Sequence, residues 1–227
     1  MAFFEYPIRF AIFLCEAIGK LYFRIGFRPR LVFTDPSVPS LRFKEPSIII
    51  ANHTSTSDPI LLLSLITQKR SIVVAKDWFE MKKFHWILSR EKCIPCDRYN
   101  LDTEWALLAK KQLEAGNSVI IFPEGKCRED GFLNEFKPGF AFLARSTGAP
   151  VVSVGLDGIY RFGHRTQVVF GNAEKIVRVK GVHSSEHLAE RSEYFRQKVW
   201  RLKQQALGIT GKDLPVAEKT PPEETKN

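Results

Sequence analysis

The chain has 227 residues, of which 44% are hydrophobic and 26% charged, and its net charge at pH 7 is +9. This length supports one substantial hydrophobic core or at most two small ones, and the composition is that of a globular protein. The positive charge suits an anionic partner, which leaves nucleic acid, an anionic membrane surface and phosphorylated substrates as candidates. The four cysteines do not form a secreted disulfide pattern, so we expect reduced thiols in a cytosolic setting. The lone C-x-x-C at residues 93–96 lacks the second pair of a zinc site, so a redox or metal role is the weaker alternative, and no metal site is predicted.

Residues 1–27 are rich in Phe, Ile and Leu, and their charged residues fall on one arc of a helix. Charges interrupt the apolar residues too often for a transmembrane helix. Glu5 and the short apolar run at residues 10–15 also argue against a signal peptide. We therefore predict an N-terminal amphipathic helix that lies in a membrane interface. The alternative is that its apolar face packs on the core of the protein itself.

The rest of the chain alternates apolar strands with helices. The predicted strands span residues 31–34, 47–51, 71–75, 93–95, 119–122, 151–154 and 167–170. The predicted helices span residues 60–66, 77–89, 102–115, 140–146 and 186–207. The helix over residues 77–89 is apolar nearly all round, which predicts that it is either buried or partly facing lipid. The pattern predicts an α/β fold: a single domain over residues 28–211 with a mostly buried mixed sheet flanked by helices, followed by a polar, disordered tail over 212–227.

The segment Asn-His-Thr-Ser-Thr-Ser-Asp-Pro at residues 52–59 follows one of the buried strands. On a continuous helix His53 and Asp58 would diverge by about 140°, so they meet only if the chain turns between them. An imidazole with a carboxylate behind it forms a general base. Ser55 and Ser57 are near in sequence, but there is no G-x-S-x-G elbow, so a substrate hydroxyl is the more economical group to be deprotonated. The alternatives are that Asp58 is an N-cap before a proline and that His53 has a structural role.

A second polar cluster, Phe-Pro-Glu-Gly-Lys-Cys-Arg at residues 122–128, also ends a buried strand. The backbone amides of a turn, together with Lys126 and Arg128, form a candidate anion site. Arg98 follows a short strand and is predicted to converge on the same rim. For each basic residue taken singly, the alternative is a solvated surface charge.

Four segments in chain order resemble the motifs of the PlsC-like glycerolipid acyltransferases, a family that includes the 1-acylglycerol-3-phosphate acyltransferases. They are N-H-x-x-x-x-D at 52–58, I-P-C-D-R at 94–98, F-P-E-G at 122–125 and a proline-led apolar strand at 149–154. The resemblance covers the central half of the chain. It implies an acyltransferase domain that moves a fatty acyl group from a thioester to the free hydroxyl of lysophosphatidate, giving phosphatidate for phospholipid biosynthesis. The implied donor is acyl-CoA or acyl carrier protein, a substrate, and no cofactor is implied.

By this resemblance His53 is the base, Asp58 orients it, and Arg98 helps to hold the phosphate of the acceptor. Glu124 and Gly125 are implied to shape the acceptor site. The hydroxyl is then expected to attack the thioester directly, without a covalent enzyme intermediate. Backbone amides are the candidate donors for the oxyanion, but the sequence does not identify them.

The chain departs from the family pattern just after F-P-E-G. The family continues with Thr-Arg-Ser, whereas this chain has Lys126 and Cys127, and Arg128 lies one position later. This departure leaves open another lysolipid as acceptor, including one without a phosphate.

A different class of function is a basic module that binds an anionic membrane or nucleic acid without catalysis. The nucleic-acid version lacks a recognisable motif, and the aromatic residues lie in apolar helices rather than among the basic residues. The predicted partners are therefore an anionic membrane surface, a lysophospholipid and the acyl thioester, with no nucleic acid. The predicted location is peripheral or monotopic on the cytoplasmic face of the cell membrane.

Overall fold

The computed structural model describes residues 18–19, 21–34, 43–66, 68–81, 85, 88–89, 91–98, 103–128, 130–179, 181 and 183–209. Most of the predicted amphipathic helix over residues 1–27 lies outside these residues, as does the predicted tail over 212–227. The described end of the N-terminal segment is helical at residues 21–22 and continues as a π-helical segment, Phe23–Phe27.

Seven strands form one mixed sheet, and each coincides with a predicted strand to within a few residues. They are β1 (Arg30–Phe33), β2 (Ile48–Ala51), β3 (Arg70–Ala75), β4 (Ile94–Cys96), β5 (Ser118–Ile121), β6 (Val151–Leu156) and β7 (Gln167–Glu174). Their order across the sheet is β1-β7-β6-β2-β5-β3-β4. All neighbouring strands are parallel except β6 and β7, which are antiparallel. The expectation of an α/β fold with a mixed, mostly buried sheet is thus confirmed.

The helices cover both faces of this sheet. They are α1 (Asp58–Leu65), α2 (Lys76–Glu80), α3 (Glu104–Glu114), α4 (Gly139–Thr147) and α5 (Ser184–Ala206). The central strand β2 is buried over its whole length. Because side chains alternate along a strand, Ile48 and Ile50 join the apolar cluster under α3, α4 and α5, whereas Ile49 and Ala51 join the cluster under α1 and the π-helical segment.

One predicted helix is interrupted at Met81, although residues 85, 88 and 89 within its range are helical. The sequence predicts a single helix over residues 77–89, but α2 ends at Glu80 because Met81 has an extended backbone, with φ −74° and ψ 108°. None of the residues of α2 is buried, and Trp78 and Met81 are 39% and 44% exposed. Its apolar side chains therefore do not form part of the core.

The long helix α5 packs directly on the sheet at a glycine. A Cβ atom added to Gly155 in β6 would lie 2.2 Å from the backbone carbon of Leu202 and 2.4 Å from the backbone nitrogen of Lys203. Only the absence of a side chain at Gly155 allows this approach. The close packing brings the C-terminal part of α5, including Lys203, to the edge of the sheet at which the polar residues meet.

Candidate active site

The polar segments identified in the sequence lie at one edge of the sheet. Strands β2, β3, β4, β5 and β6 are parallel to one another, so their carboxyl ends point the same way. His53 follows β2, Asp77 follows β3, Arg98 follows β4 and Glu124 follows β5. Ligand sites of open α/β sheets lie at this edge. The convergence of Arg98 with the F-P-E-G turn is observed, because its Nη1 donates to the carbonyl of Gly125 at 3.3 Å.

The carboxylate of Asp58 is fully buried and holds the turn between β2 and α1 together. Its Oδ2 accepts hydrogen bonds from the backbone amides of Thr54 at 2.7 Å and Ser55 at 2.8 Å. The same oxygen lies 3.1 Å from Nδ1 of His53. Asp58 is not the N-cap of α1, since that position is taken by Ser57, and its carboxylate turns back onto the preceding residues. The turn therefore brings together the two side chains that a helix would have separated.

The second oxygen of the Asp58 carboxylate is bound by Tyr160, which donates its hydroxyl hydrogen to Oδ1. Burial raises the pKa of the Tyr160 hydroxyl, and the negative charge of Asp58 raises it further, so Tyr160 stays protonated and acts as a donor. Tyr160 lies beyond the end of β6, 102 residues along the chain from Asp58. Sequence reasoning missed it because no motif links the two positions.

The orientation of the His53 side chain is fixed by contacts on its ring. The ring stacks on Phe122 with 4.3 Å between the ring centroids, and 15% of the side chain is exposed. Burial lowers the pKa of His53, but the hydrogen bonds to Asp58 and Cys127, and attraction to both groups, outweigh it and raise the pKa to about 9. With Nδ1 directed at Asp58, the other ring nitrogen, Nε2, lies on the side of the ring away from the carboxylate.

Glu124 follows β5 and is buried. It is 4% exposed, and its two carboxylate oxygens accept the backbone amides of His53 and Asn134, each at 2.7 Å. Burial raises its pKa to about 7, although both backbone hydrogen bonds oppose the shift. Glu124 thus connects the turn after β5 to the backbone of His53. Gly125 has φ +73°, a conformation that favours glycine, and it turns the chain beyond Glu124.

The thiol of Cys127 lies on the open side of His53. Its Sγ is 3.2 Å from Nε2 of His53, and Cys127 is exposed. The sequence identified Cys127 only as a departure from the family pattern and gave it no role. The other described cysteines, Cys93 and Cys96, are free thiols that lie at and beside β4.

The predicted basic residues lie around the turn after β5, but in different environments. Arg98 forms an ion pair with Asp77 at 2.8 Å. Lys126 is exposed, whereas Arg128 binds the carboxylate of Asp130 at 2.6 Å. Sequence reasoning missed Lys137, whose side chain lies beside Gly125: a Cβ atom on that glycine would be 3.4 Å from its Nζ.

An open cavity of about 420 Å³ borders the hydrogen-bond network around Asp58. Its wall includes Thr54 and Ser55, which bind Asp58 through their amides, and also Tyr160 and Lys203. Lys203 is buried, and its ammonium group donates to the carbonyl of Gly131. Among the described residues, no group of three or more His, Cys, Asp or Glu side chains is arranged to hold a metal ion.

The seven-stranded sheet carries a His–Asp pair at the carboxyl ends of its strands. Comparison with known protein families identifies the class of protein to which this fold and site belong. The model of the family described as Acyltransferase matches residues 32–157, more than half of the chain, and the chain belongs to that family. This confirms the resemblance on which the motif analysis rests, and the matched region contains all four motifs.

The curated relatives include a chloroplastic 1-acyl-sn-glycerol-3-phosphate acyltransferase of Brassica napus, which is 32% identical over 62% of this chain and 42% of its own length. A chloroplastic enzyme of the same name from Arabidopsis thaliana is 29% identical over 74% of this chain and 48% of its own length. The Pseudomonas aeruginosa 1-acyl-sn-glycerol-3-phosphate acyltransferase is 27% identical over 64% of this chain and 53% of its own length. The chain thus spans about half the length of these relatives.

Among solved structures, the chain is similar to the 1-acyl-sn-glycerophosphate acyltransferase PlsC from Thermotoga maritima. The TM-score is 0.58 at 21% sequence identity, over 88% of this chain and 80% of that chain. At this level of identity the likeness concerns the fold, which the two proteins share.

Proposed function

We propose that the protein transfers a fatty acyl group from an acyl thioester to the free hydroxyl of a lysophospholipid, with lysophosphatidate as the leading acceptor. The observation that carries this proposal is the His53–Asp58 pair. Asp58 is fully buried and bound by two backbone amides and a tyrosine, while His53 directs Nε2 outward at the carboxyl edge of the sheet. The names of the curated relatives support this choice of acceptor.

In this reaction His53 is the general base. Because the pKa of His53 is about 9, it is the neutral form of the ring that acts as the base. In that form Asp58 selects the tautomer with hydrogen on Nδ1, so the lone pair of Nε2 is directed toward the acceptor hydroxyl. When the hydroxyl proton moves to Nε2, the Asp58 carboxylate stabilises the imidazolium that forms. General base catalysis of this kind contributes about 10²–10⁴-fold to the rate.

The phosphate of the acceptor binds at the rim around Gly125, where Arg98, Lys126 and Lys137 supply positive charge. The Asp77 partner of Arg98 is 49% exposed in its side chain, and such surface ion pairs contribute only about 0–1 kcal/mol. A phosphate, with more charge than a carboxylate, can therefore replace Asp77 on the guanidinium group at little cost. Arg128 is paired with Asp130, whose side chain is 50% exposed, so a phosphate can replace this carboxylate in the same way.

The test is acyl transfer by the full chain from oleoyl-CoA to lysophosphatidate, with phosphatidate measured by mass spectrometry. His53→Ala removes the base, so we expect the rate to fall by about 10²–10⁴-fold. The matched control is His164→Ala, because His164 also pairs with a buried aspartate, Asp157, at 3.0 Å. This control should retain the parent rate. Equal activity of His53→Ala and the parent chain would exclude His53 as the base.

The proposed setting of this reaction is a membrane surface, which the exposure of the N-terminal segment supports. Within the described part of the chain, none of the helices has the length and apolar character needed to span a bilayer. Phe23 and Phe27 pack into the protein core. Leu21 and Ile25, by contrast, are 55% and 61% exposed. The segment thus contributes to the core on one side and leaves an apolar surface on the other.

Substituting exposed side chains tests membrane binding better than deleting residues 1–27, because the deletion would also remove core phenylalanines. A fully buried Leu or Ile contributes about 1.5–3 kcal/mol, and insertion of the exposed parts of two such residues about 2–4 kcal/mol. Leu21→Gln with Ile25→Gln should therefore weaken sedimentation with anionic vesicles by roughly 30-fold to several hundredfold. Leu107→Gln is the matched control, since Leu107 is 61% exposed on α3, against the opposite face of the sheet. Equal weakening by both changes would argue against a specific contact.

A further inference from the structure

The nitrogen that the proposed function assigns to the lysolipid hydroxyl is already in contact with a thiol. Sγ of Cys127 lies 3.2 Å from Nε2 of His53, while Nδ1 of the same ring lies 3.1 Å from Asp58. A nucleophile within hydrogen-bond reach of a base, with the base oriented by a third group, is the arrangement of covalent catalysis. Cysteine, histidine and aspartate here form such a triad.

The position of Cys127 follows from the backbone and does not depend on the contact between the two side chains. The amide of Arg128 donates to the carbonyl of His53 at 2.8 Å. The amide of His53 donates to Glu124, only three residues before Cys127, at 2.7 Å. These two bonds hold the chain around Cys127 alongside the chain around His53, so the thiol stays beside Nε2.

The accessibility of the three groups differs in the way that covalent catalysis requires. Asp58 is fully buried, 15% of the His53 side chain is exposed, and Cys127 is exposed. An acyl thioester arriving from solvent or from a membrane surface reaches the sulfur of Cys127 first. His53 lies within hydrogen-bond reach of the thiol, and the thiolate that a base generates is the reactive form of cysteine.

We propose that Cys127 is a catalytic nucleophile that carries the acyl group as an enzyme thioester between the donor and the lysolipid. This proposal rests on the proposed function and deepens it. It replaces the direct attack expected from the family resemblance with transfer in two steps.

In the first step, the neutral form of His53 takes the proton of the Cys127 thiol, and the sulfur attacks the carbonyl carbon of the donor thioester. A new carbon–sulfur bond forms to Cys127, and the carbon–sulfur bond of the donor breaks. The leaving thiolate, of CoA or of acyl carrier protein, takes the proton back from His53. One thioester replaces another, so the free energy of the acyl bond is retained for the second step.

In the second step, the acylated sulfur no longer carries a proton, and Nε2 of His53 is available to the lysolipid hydroxyl. His53 takes the hydroxyl proton, and the oxygen attacks the acyl carbon, which is bonded to a sulfur adjacent to the base. The bond from Cys127 to the acyl group breaks, and its sulfur receives the proton from His53. The products are the oxygen ester and the free thiol of Cys127.

Isotope exchange without an acceptor distinguishes this route from direct transfer. The full chain is incubated with oleoyl-CoA and ¹³C-labelled free CoA, and label entering oleoyl-CoA is measured by mass spectrometry. An enzyme thioester allows this exchange, and direct transfer does not. We expect exchange in the parent chain and a decrease of at least about 100-fold in Cys127→Ala. The matched control is Cys93→Ala, which should exchange normally, because burial raises the pKa of the Cys93 thiol to about 12.

Each outcome of this experiment decides the proposal. Exchange that depends on Cys127, with an oleoyl adduct on Cys127 in the intact mass that hydroxylamine removes, supports it. Exchange that persists in Cys127→Ala overturns it, as does transfer to lysophosphatidate by a parent chain that shows no exchange. Exchange that depends on Cys127 without transfer to lysophosphatidate leaves the enzyme thioester standing and refutes only the proposed acceptor. Neither exchange nor transfer, with oleoyl-CoA or with oleoyl acyl carrier protein, refutes both proposals.

Discussion

Two substitutions of Asp58 separate its role in folding from its role in catalysis. The carboxylate accepts hydrogen bonds from the amides of Thr54 and Ser55, from His53 and from Tyr160. In Asp58→Ala the two amides and the tyrosine hydroxyl lose their acceptor. A buried donor without a partner costs about 1–3 kcal/mol, so three of them cost about 3–9 kcal/mol. That is a large part of a total stability of about 5–15 kcal/mol, so this variant should be close to unfolding.

Asp58→Asn keeps the shape of the side chain and removes only its charge. The asparagine oxygen can accept both backbone amides, and its NH₂ group can donate to Tyr160, whose hydroxyl is able to rotate and accept. The loss is then the difference between charged and neutral hydrogen bonds, about 1 kcal/mol for each bond. Catalysis should nevertheless fall, by as much as about 10⁴-fold, because a neutral amide does not stabilise the His53 imidazolium, even though its oxygen can still accept a hydrogen bond from Nδ1.

The assay measures urea unfolding by tryptophan fluorescence alongside the transfer of oleate to lysophosphatidate. The matched control is Asp157→Asn, since Asp157 is also buried and accepts two backbone amides and a histidine, but does not contact His53. It should lose a similar amount of stability and keep its turnover. The reasoning fails if Asp58→Ala is as stable as Asp58→Asn, or if Asp58→Asn turns over at the parent rate.

Two further predictions concern the titration of the base and the packing of α5. Cys127→Ala removes one of the hydrogen bonds that raise the pKa of His53, so the pKa of His53 should fall below the parent value of about 9. The measurement is an NMR titration of His53, and an unchanged midpoint would show that the thiol does not influence this pKa. Gly155→Ala places a methyl group 2.2 Å from the backbone of Leu202 and should cost about 1–3 kcal/mol or more in unfolding free energy, measured by urea denaturation. In the control Gly26→Ala the new methyl group meets only a side-chain atom at 3.8 Å, so a similar loss there would mean that crowding is not the cause.

If the Cys127 thioester forms, the departure from the family motif after F-P-E-G has a chemical meaning. The family pattern has an arginine at the position of Cys127, and an arginine there cannot carry an acyl group. In this chain the same position, beside Nε2 of His53, carries a nucleophile. The substitution would then change the order of bond making while the His–Asp pair and the net reaction stay the same.

The sequence by itself determined which segments are strands and helices and where most of them end. Continuous apolar runs such as β2 and β5 can be stable only when they are buried on both faces, so their identity follows from local composition. Gly116 and Gly148, with φ +82° and +71°, end helices α3 and α4 where the sequence predicts, because glycine adopts this conformation at little cost. The exception is the helix predicted over 77–89, where a nearly all-round apolar pattern contains no signal for the end at Glu80.

The tertiary structure alone decided which of these segments are neighbours and what each polar side chain does. The order β1-β7-β6-β2-β5-β3-β4 brings together residues that are 71, 74 and 102 positions apart: His53 with Glu124 and Cys127, and Asp58 with Tyr160. Local patterns contain no information about such pairs, because each is set by the pairing of strands distant in sequence. The motif residues could be found in the sequence, but the inward role of Glu124 and the contact between Cys127 and the base depend on the folded chain.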